Sequence, residues 1–291
     1  MKTSARPEIQ NGKVTIDHIN VRRYVKGRSE WQDLAITLYD PVVPSAAQAT
    51  MEWVRLHHES VTGRDGYSDF YKKDVNRNKY KVIITPPYTL IENYSKYFKN
   101  KKIFIGSQNC YQKDQFSSNT AAVSSYMLKK VGAKFTLIGH SDNRSEGDTD
   151  KMLKDKVKFA LKNNLKVVFC IGENHKEKKN RSTLNVLKKQ LINVLNKKLD
   201  SKDIVIAYEP IWSIGTGKIP TSQELKKTIV HIKKELHKIF KKNVPAVLYG
   251  GSVDGNSVKS FKDVKEIDGF LIGGASKSSK KFIDIIKNYY R

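Results

Sequence analysis

From residue 79 to the C-terminus, short apolar runs rich in β-branched residues alternate with longer stretches in which lysines flank apolar positions at helical spacing. The pattern predicts seven strands: 81–85 (KVIIT), 102–106 (KIFIG), 135–139 (FTLIG), 166–171 (KVVFCI), 204–208 (IVIAY), 246–250 (AVLYG) and 269–273 (GFLIG). Between them it predicts helices, among them 148–164, 182–198 and 222–241. Continuously apolar strands separated by amphipathic helices make a parallel sheet covered by helices, because strands buried on both faces lose the in–out alternation. Seven such units over about 210 residues fit a (β/α)8 barrel short of one unit better than a doubly wound sheet. The expected fold class is therefore α/β, a barrel with its first βα unit missing or remodelled.

The first 75 residues read differently. Leu34, Ile36 and Leu38 alternate in a candidate strand over 31–39, which Pro41 and Pro44 end. Ser45 is a plausible N-cap for a helix running to Leu56, with Met51, Val54 and Leu56 near helical spacing. Composition marks the same break. Residues 1–75 hold five Lys, six Arg and ten Asp/Glu, a net of +1, whereas residues 76–291 hold 39 Lys, four Arg and 19 Asp/Glu, a net of +24. Asparagine rises from two to 17 across that boundary. Two segments are expected, an atypical one over 1–75 and a barrel over 76–291.

The overall charge of +25 raises a nucleic-acid reading. The excess is lysine scattered in pairs such as Lys188/Lys189 and Lys233/Lys234 on solvated helix faces, without arginine forks or aromatic platforms. No specific nucleic-acid partner is expected; the charge instead attracts an anionic substrate at long range. No apolar run approaches a membrane span, so no membrane partner is expected. With only Cys110 and Cys170, no disulfide framework is implied and a cytoplasmic, reducing setting is the simplest. Adjacent His57 and His58 point to different sides of a helix and make a poor metal pair. No metal or cofactor is expected.

Barrel chemistry belongs at strand C-termini, and the chemical motifs fall there. Gly139-His140-Ser141-Asp142 and Tyr208-Glu209-Pro210-Ile211-Trp212 each come directly after a strand. Taken singly, the histidine reads as structural, and the glutamate as either a base or half of a buried ion pair. Ser213-Ile-Gly-Thr-Gly-Lys218 is a Gly-rich stretch between stiffer ends, suited to a lid. Tyr249-Gly-Gly-Ser252 and Gly273-Gly274-Ala275-Ser276 end strands as tight turns, where a backbone N–H can approach an anion.

Together, in this order and spacing, GHS, CIGE, YEPIWSIGTG, YGGSV and DGFLIGGAS resemble the triosephosphate isomerase family from about residue 81 to the end. The resemblance implies a TIM barrel and the interconversion of dihydroxyacetone phosphate and D-glyceraldehyde 3-phosphate through an enediol(ate), in glycolysis and gluconeogenesis. It implies Glu209 as the base and neutral His140 as the electrophile, the acid–base pair of that family. It implies backbone donors to the phosphate at Gly215, Ser252, Gly273 and Gly274, and supporting roles for Asn109, Ser141 and Glu173. It also implies a homodimer.

Three departures qualify it. The family's first strand ends in Asn-x-Lys, and no Asn-Trp-Lys occurs in the chain. Loss of that cation predicts a rate lowered by about 10²–10⁴-fold. Its Ser-Glu-Arg-Arg is Ser141-Asp142-Asn143-Arg144 here, and its dimer-loop Thr-Gly-Glu is Thr120-Ala121-Ala122. Both ends of one intersubunit ion pair are thus gone, which is milder than losing one but removes a contact the homodimer relies on. Residues 16–74, including WQDLAITLYDPVVPSAAQATMEWVRLHHESVTGRDGYSDFYKKD, resemble part of a phage tail tube protein. The alternative to an isomerase is accordingly an inactive remnant, or a fusion with a tail-tube-like fragment.

Overall fold

The computed structural model describes residues 81–99, 103–114 and 119–290, together with two dipeptide strands near the N-terminus. The chain divides into two compact units, Met1–Val75 and Asn76–Arg291. In the first, β1 (Ile9–Gln10) pairs antiparallel with β2 (Glu30–Trp31). The strand expected over 31–39 past its first residue, the helix from Ser45, His57/His58, the tail-tube-like stretch and the remodelled first βα unit lie outside the described residues.

In the second unit all seven expected strands form: β3 (Val82–Ile84), β4 (Ile103–Ser107), β5 (Phe135–Ile138), β6 (Lys166–Ile171), β7 (Ile204–Tyr208), β8 (Ala246–Tyr249) and β9 (Gly269–Phe270). They make one sheet, every neighbouring pair parallel, in chain order from β3 to β9. Parallel neighbours in chain order require a crossover between each pair, returning the chain beside the strand it left. Eight helices of the α type accompany the strands among the described residues: α1 (Ile91–Tyr97), α2 (Ser125–Lys130), α3 (Ser141–Ser145), α4 (Asp150–Lys162), α5 (His175–Lys179), α6 (Thr183–Val194), α7 (Ser222–Phe240) and α8 (Ser279–Tyr290).

Two apolar layers sandwich the sheet. Alternate residues of β6 show the division: Val167, Phe169 and Ile171 join the large core between strands and helices, while Val168 and Cys170 join the smaller inner cluster with Phe135, Leu137 and Ala207. Period-two alternation sends successive side chains to opposite faces, and apolar residues at both explain the unbroken hydrophobic runs. The helices bury stripes at i, i+3, i+4 and i+7. In α7 these are Leu225, Thr228, Ile229 and Ile232, continued by Glu235 and Leu236. A reciprocal capping box of Thr221 and Glu224 starts that helix by satisfying two otherwise orphaned N–H groups.

Two element ends differ from the sequence expectation by more than two residues. The helix expected over 182–198 stops at Val194, where Leu195 turns extended (φ −93°, ψ 150°). The Asn196 side chain accepts from the Lys198 N–H at 3.0 Å, a local turn that competes with another helical residue. β9 pairs only at Gly269–Phe270, although the Leu271 N–H still donates to the Tyr249 C=O at 2.9 Å.

Candidate active site

β5, β6 and β7 place their C-termini side by side, and the loops leaving those three ends assemble the site. After β5, Gly139 at φ +79° turns the chain so that His140 becomes the N-cap of α3. Its Nδ1 accepts the Asp142 N–H at 3.2 Å. The Asp142 carboxylate also lies 3.4 Å from Nδ1, but at 80% exposure that attraction is screened. The backbone donor therefore decides the tautomer: a neutral ring carries its proton on Nε2. That nitrogen stands 3.3 Å from Glu209 Oε1.

Glu209 sits immediately after β7, its N–H donating to the Ile171 C=O at 2.8 Å. The residue is buried, and its Oε2 has no hydrogen-bond partner. Burial pushes the carboxyl above the ordinary carboxylate range, against the pull of His140 and a hydrogen bond with the Cys170 side chain. Two glycines make room. A Cβ on Gly250 would come 2.7 Å from Glu209 Cγ, and one on Gly172 would come 1.8 Å from the Glu209 carbonyl oxygen. An unpaired, dry carboxylate oxygen beside an imidazole N–H is a base next to a proton donor.

Glu173, two residues past β6, is fully buried and faces the lid rather than the imidazole. It accepts from Trp212 Nε1 at 2.8 Å and the Tyr208 hydroxyl at 3.2 Å, and its C=O accepts the Ile211 N–H at 3.0 Å. Burial raises its pKa, with the Trp212 hydrogen bond opposing. The lid crosses from there to the next loop. Ser252 Oγ accepts the Gly217 N–H at 3.2 Å and donates to the Ser213 C=O at 2.5 Å. Gly215 and Gly217 take φ of +66° and +73°, a region that disfavours a side chain. Nothing lies within 4 Å of a Cβ added at Gly215, Gly273 or Gly274, so the backbone there is open to approach.

The structure thus joins His140 with Glu209, Glu173 with the lid's first hinge, and Ser252 with its last turn. Ser141 lines the same recess as Glu209. Asn109 turns elsewhere: its Oδ1 accepts from the Cys110 N–H at 2.8 Å and from Lys156 Nζ at 3.0 Å. Sequence reasoning missed Lys156, which pairs with Asp148 at 2.7 Å while both are buried. Its signal is positional, since residue 156 falls on the α4 stripe of Leu153, Val157 and Ala160. Arg144 stands in the sequence only as a motif remnant, yet it bridges two strand ends. Its Nε donates to the Gly139 C=O at 2.8 Å and its Nη2 to the Cys170 C=O at 3.0 Å, tying the ends of β5 and β6 together.

A family model described as triosephosphate isomerase matches residues 55–289. The chain belongs to the triosephosphate isomerase family. The enzyme of Saccharomyces cerevisiae is 40% identical over 211 residues, covering 71% of this chain and 84% of its own. That of Thermodesulfovibrio yellowstonii is 35% identical over 213 residues, covering 72% and 86%. A crystal structure of the Bartonella henselae enzyme superposes with a TM-score of 0.67 at 31% identity, over 73% of this chain and 87% of that one. The fold is the family's TIM barrel, and the class of chemistry is an isomerase's. In the loop where the family carries Thr-Gly-Glu, Ala121 sits at φ +65°. A left-handed backbone costs an L-residue about 1 kcal/mol, a cost a glycine at this position would avoid.

Among the described residues, no group of three His, Cys, Asp or Glu side chains is arranged to hold a metal. None of the described helices is long and apolar enough to cross a membrane.

Proposed function

We propose that the chain interconverts dihydroxyacetone phosphate and D-glyceraldehyde 3-phosphate, with Glu209 as the base and His140 as the electrophile. The observation that carries this reading is the buried Glu209 carboxylate, whose Oε1 stands 3.3 Å from His140 Nε2 while its Oε2 has no hydrogen-bond partner. Glu209 takes the proton from the carbon next to the carbonyl. His140 Nε2–H donates to the carbonyl oxygen and offsets charge on the resulting enediol(ate). His140 passes a proton to that oxygen and takes one from the neighbouring hydroxyl, and Glu209 returns its proton to the former carbonyl carbon, so the ketone becomes an aldehyde and no redox partner is consumed. Gly215, Gly273 and Gly274 offer backbone donors to the phosphate; the Ser252 N–H, which donates to Ser213 Oγ at 3.2 Å, joins them once that bond opens, and the lid keeps water out. Ser141, Asn109 and Glu173 are support: Glu173 fixes Trp212, and Asn109 anchors the loop after β4.

The small-molecule partner is one triose phosphate per chain. The homodimer enters only as the family's assembly, since its paired glutamate and arginine are Ala122 and Asn143 here. Buried, unpaired Cys110 and Cys170 suit a reducing cytoplasm.

The deciding experiment runs the purified chain on dihydroxyacetone phosphate in D2O. Solvent deuterium should enter the carbon beside the carbonyl as aldehyde appears in a coupled assay. Absence of both would leave the inactive-remnant reading, which the missing Asn-Trp-Lys favours. Within the active enzyme, His140→Gln should lower kcat by about 10²-fold with little change in KM, because the hydrogen bond strengthens only as charge develops on the oxygen. Steady-state kinetics checks it, and an unchanged kcat would remove His140 from the mechanism.

A further inference from the structure

We infer that Gln190 is a positioning residue for Glu209, acting through the backbone of Gly172. This rests on Glu209 being the base.

β6 outruns its neighbour. The last β5–β6 pair is Ile138 with Phe169, because β5 gives way at Gly139 and the chain turns into α3. Beyond Phe169, residues 170–173 have no strand on that side, yet they are the template for the far one. The Ile171 C=O holds the Glu209 N–H, and the Glu173 C=O holds the Ile211 N–H. Side chains replace the absent strand. Arg144 takes the Cys170 C=O at 3.0 Å. Gln190 takes both groups of Gly172: its Oε1 accepts the N–H at 2.9 Å and its Nε2 donates to the C=O at 3.0 Å. One primary amide thus reproduces the two-point pairing of a strand residue.

Gln190 lies in α6, three residues after buried Leu187 and four before buried Val194, on the inward stripe where an apolar residue is the default. A polar side chain there is explained by what it holds. Gly172 is buried, so without Gln190 its N–H and C=O lose their partners away from water. The coupling to Glu209 is steric as well. A Cβ on Gly172 would lie 1.8 Å from the Glu209 carbonyl oxygen, so the two backbones are in direct contact and a shift of one moves the other. A base displaced by a fraction of an ångström from its target carbon loses rate without losing substrate affinity.

The test is Gln190→Met, which keeps length and apolar packing and removes both bonds. Turnover should fall about tenfold with KM changed by less than about twofold, since misplacing a reacting group by 1 Å costs on the order of 10²-fold. Amide hydrogen exchange at Glu209 and Ile211 should accelerate at a temperature where the variant is fully folded. A merely structural role would lower the melting temperature and leave kcat per folded site and both amides unchanged. Any outcome other than the paired loss of kcat and of amide protection overturns the proposal. If the wild-type chain itself fails to isomerise, the base assignment falls, and the two amides alone then decide whether Gln190 positions residue 209. Should Gln190→Met not fold, Gln190→Glu, which keeps the acceptor for the Gly172 N–H, carries the same measurements.

Discussion

Glu209→Gln should lower kcat by about 10²–10⁴-fold, roughly 3–5 kcal/mol of barrier, while leaving KM for the triose phosphate nearly unchanged. The amide keeps the size and shape of the carboxylate, so the recess and the lid have no reason to move. What it lacks is a lone pair basic enough to take a proton from carbon. The same substitution should raise stability at neutral pH. Burial holds the folded-state pKa of Glu209 above its unfolded value. The native state therefore binds the proton more readily than the unfolded chain, and stability falls as pH rises from the unfolded value through the folded one. Above that window wild type carries the full penalty of a buried charge with Oε2 unpaired. Below the ordinary carboxylate range both states are protonated and the penalty is gone. Thermal melts of wild type and Glu209→Gln should thus diverge at pH 7 and converge near pH ~4, the unperturbed glutamate range. Equal melting temperatures at pH 7 would mean the carboxylate is not held dry. The kinetic counterpart is an acid limb of kcat/KM set above the pH at which exposed carboxylates titrate, because only the deprotonated form is a base.

How much of this was legible in the sequence depends on what kind of signal each feature leaves. β6 and β7 were readable to the residue, because a strand buried on both faces between polar flanks has unambiguous ends. His140 and Glu209 each follow an apolar run, but taken singly the histidine reads as structural and the glutamate as a base or half of an ion pair; only the order of the five motifs makes them a catalytic pair. Their 3.3 Å approach was implied by motif order but not by either motif alone. Gln190 was illegible for a physical reason. Its work is to hydrogen-bond the backbone of Gly172, 18 residues away, and hydrophobic periodicity carries no information on which backbone group a side chain will reach. Arg144 escaped notice for the same reason, its partners being the carbonyls of Gly139 and Cys170. Asn109 was visible as a motif residue, yet its oxygen is directed by a lysine 47 positions on. The early stop of α6 at Val194 was hidden by the lysine-rich run beyond it, which reads as helix until the turn at Asn196 is considered.

Lys156→Met should cost about 3–5 kcal/mol of stability, the largest loss expected of any single lysine in the described barrel. The other lysines there reach solvent, where a charge is nearly free and its loss costs little. Lys156 does not: its side chain is 4% exposed, beside Asp148 at 8%. All three ammonium hydrogens are spoken for, at 2.8 and 2.7 Å to the two Asp148 oxygens and at 3.0 Å to Asn109 Oδ1. Methionine suits the α4 stripe of Leu153, Val157 and Ala160 and leaves no large void. The loss therefore comes from the carboxylate of Asp148, stranded in a dry site without its counter-charge. Cys110 beside the cluster shows how dry that site is: burial pushes its thiol up to about 12, even with Lys156 pulling the other way. For a domain of this size the deficit is a drop on the order of 10 °C in melting temperature. Removing both charges separates the causes. Lys156→Met with Asp148→Asn should recover most of the loss, because an apolar–neutral pair has little to desolvate. If the double variant is as unstable as the single one, the loss lies in packing around α4 and not in an uncompensated charge. The consequence would also reach the site. Asn109 and Asp148 belong to the loops after β4 and before α4, and Lys156 is the tie between them. Releasing it should loosen the rim next to His140 while leaving the Glu209 backbone, held from β6, in place. Kinetics on the double variant should then show KM rising more than kcat falls, the reverse of the Gln190→Met pattern.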